Sequence, residues 1–144
     1  MAYLKLKYHK KGALTTVNAS IVQWVAISAK HNRHKKTGST YALKVSICTK
    51  LNHYTEAEKA ADLCFALLDL SNHTGLEVFA RTRNNVARIY DEYGDQNAAK
   101  ENGVESLNAY KKLAIHDEIF LRDVVDLERS LRKNDSLREF IGQR

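Results

Sequence analysis

Four times between Thr55 and Leu131 the apolar residues fall onto a 3.6-residue period, and each run ends in a short polar break before the next begins. Such serial stripes predict amphipathic helices that must cover one another. Ala57, Ala60, Ala61, Cys64, Leu67 and Leu68 form the first stripe, over residues 55–71, with Thr55 and Glu58 as a capping box at its start. Thr74 and Glu77 form a second box before Leu76, Phe79, Val86, Ala87, Tyr90 and Tyr93. Gly94 is expected to stop that helix in the left-handed conformation, and Asp95 to cap the next. The third helix, over about residues 96–114, presents Ala98, Ala99, Asn102, Ser106, Leu107, Tyr110 and Leu113, a face of mostly small residues that lets a neighbour approach closely. Phe120, Val124, Leu127 and Leu131 make the fourth stripe, expected to stop near Lys133, Asn134 and Asp135. A short last helix would follow, capped by Ser136 and Glu139 and carrying Phe140 and Ile141.

The N-terminal part is patterned less sharply. "YLKLKYHK" alternates apolar and basic residues as a strand would, but no second alternating run exists to pair with it, which favours helix or fraying. A helix over residues 13–31 would present Leu14, Val17, Ile21, Val22, Val25 and Ile27, with Trp24 as its largest buried surface. "KKTGST" is expected as a loop, and a helix follows over residues 41–51. The chain has no proline and six glycines, which favours helix throughout. At 144 residues it fits one domain, able to bury about two-thirds of its unfolded surface without a disulfide or metal. The expected fold is a single all-α domain, residues 1–144, of about seven helices in antiparallel hairpins joined by short loops.

Cys48 and Cys64 sit in apolar helical stretches and read as buried core. The longest apolar run, "IVQWVAISA" over residues 21–29, is interrupted by Gln23 and Ser28 and is far short of the roughly 20 residues a membrane span needs. Thr15, Thr16, Asn18, Ser20 and Gln23 also make a poor apolar core for a signal peptide. A cytoplasmic protein with no membrane partner is the expectation.

Charge divides the chain in two. Residues 1–55 carry ten Lys or Arg and no Asp or Glu, whereas residues 56–144 carry 13 basic and 17 acidic residues. The first part is therefore +10 and the remainder −4, against +6 for the whole. The basic patch comprises Lys5, Lys7, Lys10, Lys11, Lys30, Arg33, Lys35 and Lys36. It would attract the phosphates of nucleic acid through counterion release. An acidic protein, including the acidic half of a second copy, would serve as well, and a homodimer is one such outcome. Against these stands a solvated surface that only confers solubility. The densest cluster, "KHNRHKK", also falls where a helix C-terminus is expected, and cations there complement the helix dipole. Aromatic residues are not interleaved with it, and no helix-turn-helix is recognisable. His31 and His34 share an HxxH spacing, but zinc needs two further ligands and none stands at a convincing spacing, so no metal is expected.

The stretch "ARIYDEYGDQNAAKEN" contains a small residue, Ala87, then Tyr90, the turn of Gly94 with Asp95, Ala99, and later Ser106 with Leu107; Asn85 stands two residues before Ala87. This resembles a tetratricopeptide repeat, a helix-turn-helix unit that stacks into a curved solenoid. Departures are Arg83 where a bulky apolar residue is usual, Gly103 where an aromatic is usual, and no closing proline. An upstream unit is visible in "HYTEAEKAADLCFALL", where Ala57 aligns with Ala99; that offset of 42 exceeds the usual period of about 34 and suggests the longer-helix variants of bacterial regulators and peptide receptors. The clear match covers residues 83–107 and the looser one 41–131.

The resemblance implies a short solenoid whose concave face binds extended or helical peptides, with Arg81, Asn84, Asn85 and Arg88 turned into the groove. Asn amides there would hold a peptide backbone and Arg a carboxylate, implying an acidic peptide or a free C-terminus. Ordinary surface ion pairs, Arg88 with Asp91 or Glu92 for instance, are the local alternative. No GxSxG, Walker or HExxH pattern occurs, so neither catalysis nor a cofactor is expected. Two function classes follow: a protein-binding helical-repeat adaptor or regulator, and a nucleic-acid-associated regulator acting through the basic part.

Overall fold

The computed structural model describes residues 10–31 and 34–142, most of them with their side chains. Within these residues the fold is all-α. Helix α1 spans Lys10–His31, α2 His34–Lys50, α3 Tyr54–Leu67, α4 His73–Tyr93 and α5 Gln96–His116; a 3-10 turn, Glu118–Phe120, leads into α6, Leu121–Gly142. The described residues thus hold six α-helices and one 3-10 turn.

Two expected boundaries are absent. "KKTGST" is not a loop, because α2 runs through it: Thr37 is 2 % exposed, and a Cβ on Gly38 would lie 3.3 Å from Leu68 Cδ2 and 3.4 Å from Leu67 Cβ. Packing against the end of α3 therefore outweighs the weak helix propensity of Thr and Gly. Likewise α6 continues through Lys133, Asn134 and Asp135, so there is no separate last helix starting at Ser136. Asn and Asp lower helix propensity by only a few tenths of a kcal/mol, too little to end a helix already under way.

The expected capping boxes are also replaced. α4 begins two residues earlier, with Asn72 as its cap, its Oδ1 accepting from the Thr74 amide at 2.9 Å. Glu77 is turned instead to Arg81, one helical turn on. Tyr54 already belongs to α3, so Thr55 lies inside the helix rather than at its cap, and His53 precedes it without a side-chain cap. At the next corner the expectation holds: Gly94 is left-handed (φ 79°), and Asp95 Oδ1 accepts from the Ala98 amide at 3.1 Å.

The stripes meet in a chain of small clusters. Ala13, Val17 and Ile47 join α1 to α2; Cys48, Ala57 and Ile89 join α2, α3 and α4; Val45, Ala60, Ala61 and Val86 join the same three helices further along. Ala80, Ala109, Tyr110, Leu113 and Phe120 join α4, α5 and the 3-10 turn. Burying a side chain such as Leu113 stabilises the fold by about 2 kcal/mol. Inside this last interface the Ser106 hydroxyl, fully buried, donates to the Ala80 carbonyl at 2.7 Å. The principal helix contacts are α2 with α3 and α4 with α5, with α1 on α2, α6 on α5, and α2 also on α4. Val22 and Val25, expected in the core, are exposed at 70 % and 46 %; Trp24, Ile27 and the "YLKLKYHK" segment up to His9 lie outside the described side chains.

Cys48 and Cys64 are buried free thiols, and burial pushes each up to about 11 from an ordinary value near 9. No helix among the described residues is long and apolar enough to cross a membrane.

Candidate functional site

Helical spacing puts Asn84, Ala87, Arg88 and Asp91 on one side of α4. These four line a cleft of about 350 Å³ whose floor is Ala99, Gly103 and Tyr110 of α5, and whose far wall is Asp123, Asp126, Leu127, Ser130 and Leu131 of α6. Small residues on α5 make the hollow. Gly103 serves a second purpose, because a Cβ there would lie 3.1 Å from Leu131 Cδ2, so its hydrogen lets α6 close the cleft. Gly103 is thus where α6 leans onto α5.

Two of the four expected groove residues, Asn84 and Arg88, meet at this cleft; Arg81 and Asn85 do not line it. Arg81 forms an ion pair with Glu77 on its own helix and lies near the Tyr110 hydroxyl. Burial, with Asp123 nearby, raises the Tyr110 phenol above its usual range, while Arg81 acts in the opposite sense. Arg88 is exposed and has no ion partner among the described residues, so the surface pair with Asp91 or Glu92 is not formed. Asp91 Oδ1 instead accepts from Gln96 Nε2 at 2.8 Å. One guanidinium therefore shares the lining with three carboxylates, giving it a net negative charge.

On a neighbouring face of α4 lies a second cleft of about 360 Å³, between Glu58, Asp62 and Phe65 of α3 and Asn102 of α5, with Arg83, Val86 and Tyr90 as its floor. Arg83 is the organising residue. Its guanidinium carbon lies 4.0 Å from the Phe65 ring centre and 5.2 Å from that of Phe79; Nη1 donates to Asn102 Oδ1 at 3.0 Å. Nε approaches Glu105 Oε2 at 2.8 Å but is not aligned as a hydrogen bond. Arg83 thus occupies a largely apolar setting by laying a flat cation on two aromatic rings.

Of the basic patch, Lys5, Lys7 and Arg33 lie outside the described residues, as do the side chains of Lys10, Lys11, Lys30, Lys35 and Lys36. Further along the acid-free part, Lys44 pairs with Glu56 at 3.2 Å. The side chains of His31 and His34 fall outside the described part as well. Sequence reasoning missed Asp123, Asp126 and Ser130, the polar wall supplied by α6. Their signal was present: they recur at intervals of three and four beside the apolar stripe of Val124, Leu127 and Leu131.

Comparison with family models, with curated proteins and with solved structures finds no match to this chain.

Proposed function

We propose that the protein is a non-enzymatic peptide-binding module built as a short tetratricopeptide-like stack, acting in the cytoplasm as an adaptor or regulator. The observation that carries this is the cleft between α4 and α6 over a floor of small α5 residues. Support for stacking comes from α2 packing on α4 as well as on α3, because one hairpin then rests on the next. Two neighbouring faces of α4 each line a cleft, one shared with α5 and α6, the other with α3 and α5.

In this proposal Asn84 holds the ligand's backbone amide through its paired donor and acceptor. Arg88 takes a carboxylate or carbonyl, and Asp123 and Asp126 take cationic groups. The charge of the lining supports a basic or mixed-charge peptide over the acidic peptide that the resemblance implies. Duplex nucleic acid bound by the basic N-terminal part is the alternative, and it rests on the charge of the sequence alone.

The test is a panel of labelled acidic, neutral and basic dodecapeptides, titrated by fluorescence anisotropy against the native chain and an Asn84→Ala/Asp126→Ala variant, with random duplex DNA in parallel. A peptide class bound by the native chain and at least tenfold more weakly by the variant is expected. Binding of DNA alone, weakening steeply with salt, or peptide binding indifferent to the double substitution, refutes it.

A further inference from the structure

Helix α2 pairs with α3 and α4 with α5, whereas α6 packs on α5 and the 3-10 turn, and no described helix pairs with it as α3 does with α2. Successive residues of a helix turn by about 100°, which gives α6 two unlike flanks. Asp123, Asp126 and Ser130 face the cleft. Leu121, Val125, Arg129 and Arg132 share the opposite flank, and it is open. Leu121 is 51 % exposed and Val125 49 %, and Val125, Arg129 and Arg132 line a hollow of about 260 Å³.

Helix α5 extends this surface. Gly103 lies against Leu131, and Lys111 Nζ lies 3.2 Å from Glu128 Oε1, so later residues of α5 meet earlier residues of α6. Ile115, one turn beyond Lys111 on the same side of α5, is thereby directed toward the start of α6, and it is 76 % exposed. A contiguous apolar group rimmed by charge marks an interaction surface.

The charges along the strip select the partner. Glu118 precedes Leu121 by one turn and Arg129 follows Val125 by one turn; both are exposed, and neither has an ion partner among the described residues. Two copies of α6 laid antiparallel, with the two-fold axis level with residue 123, set Leu121 of each against Val125 of the other. The same register sets Glu118 of each against Arg129 of the other. Glu128 also comes near that Glu118, but Lys111 and Arg132, at 3.2 and 3.5 Å, already balance its charge. An anionic surface such as a membrane would attract the arginines and repel Glu118.

We propose that this flank is an isologous homodimer interface, in which α6 of a second copy takes the place that α3 holds on α2 and α5 holds on α4. The apolar area is small, so the dimer is weak, with a Kd on the order of 10 μM. The cleft lies on the opposite flank and stays open, so each dimer carries two of them whatever they bind.

Sedimentation equilibrium of the native chain, from about 1 to 200 μM so as to bracket that Kd, should show a reversible monomer–dimer equilibrium. Val125→Asp should weaken it by about tenfold or more. At low salt, Glu118→Arg alone and Arg129→Glu alone should each weaken it by about tenfold, because each puts two like-charge pairs into the dimer. An equimolar mixture of those two variants should associate about as tightly as the native chain, since both pairs are again opposite in charge in the mixed dimer. Circular dichroism checks that each variant keeps its helices, and the mixture decides the matter if Val125→Asp does not fold. A native chain that stays monomeric throughout overturns the proposal. So does a dimer indifferent to a folded Val125→Asp, or a mixture that associates no more tightly than its components.

Discussion

Replacing Arg83 by alanine removes several contacts that differ in kind and in size. The guanidinium over Phe65 and Phe79 contributes about 1 kcal/mol at this half-buried position. The hydrogen bond to Asn102 contributes about 1 kcal/mol more. The contact with Glu105 adds no more than a few tenths of a kcal/mol, because that carboxylate is 52 % exposed and well screened. Loss of the packed methylenes costs about 1 kcal/mol. Arg83→Ala is therefore expected to destabilise by about 3 kcal/mol, lowering Tm by roughly 6–12 °C in a chain of this length. Arg83→Leu should cost only about 1 kcal/mol. It refills the space between the two rings, and Asn102, half-buried, keeps its Nδ2 bond to the Ala98 carbonyl at 2.9 Å. Calorimetry with urea unfolding of all three proteins reads these differences directly. Raising NaCl from 0.05 to 0.5 M should change the Arg83→Ala penalty by less than about 0.5 kcal/mol. A leucine variant as damaged as the alanine one, or an alanine variant within 2 °C of native by roughly that scale, would refute the account of a flat cation standing in for an apolar side chain.

Three further outcomes follow from the fold. Gly75→Ala places a Cβ 2.1 Å from the Asp69 carbonyl oxygen, so the 68–72 link must move; a loss above about 2 kcal/mol is expected in urea titrations. Gly94→Ala, left-handed but in open space, should lose only about 1 kcal/mol. For the thiols, the folded chain keeps Cys48 and Cys64 protonated up to about pH 11, whereas the unfolded chain releases those protons from about pH 9. The folded state binds more protons across that window, so stability is full below pH 9 and falls as pH rises toward 11. Urea midpoints at pH 8, 9.5 and 10.5 should decline, and less steeply in a Cys48→Ala/Cys64→Ala variant.

Sequence periodicity located the helices wherever one face is apolar and the other polar. The stripe over α5 is an example: Ala99, Ser106, Leu107, Tyr110 and Leu113 are all buried. It failed where a contact distant in sequence overrides local preference. Nothing near Thr37 and Gly38 announces that Leu67 and Leu68 will cover them. Capping was harder still to read, because several Thr, Asn and Glu residues compete at each end and other partners decide among them; Glu77 goes to Arg81, and Glu58 lies beside the Tyr90 phenol. The cleft was half legible. Its α4 wall follows from the spacing of Asn84 and Arg88, but its charge depends on α6, which reaches the site only through the fold.

The buried tie from Ser106 to Ala80 bears on the order in which the chain acquires its shape. Helices α4 and α5 are consecutive, share a tight capped corner and lock through a bond shielded from water, so little loop entropy is lost in bringing them together. That pair is the natural seed for assembly. α2 with α3 docks on one flank and α6 on the other, so amide protons in the middle of the sequence should be the slowest to exchange, and those of α1 and α6 among the first to go.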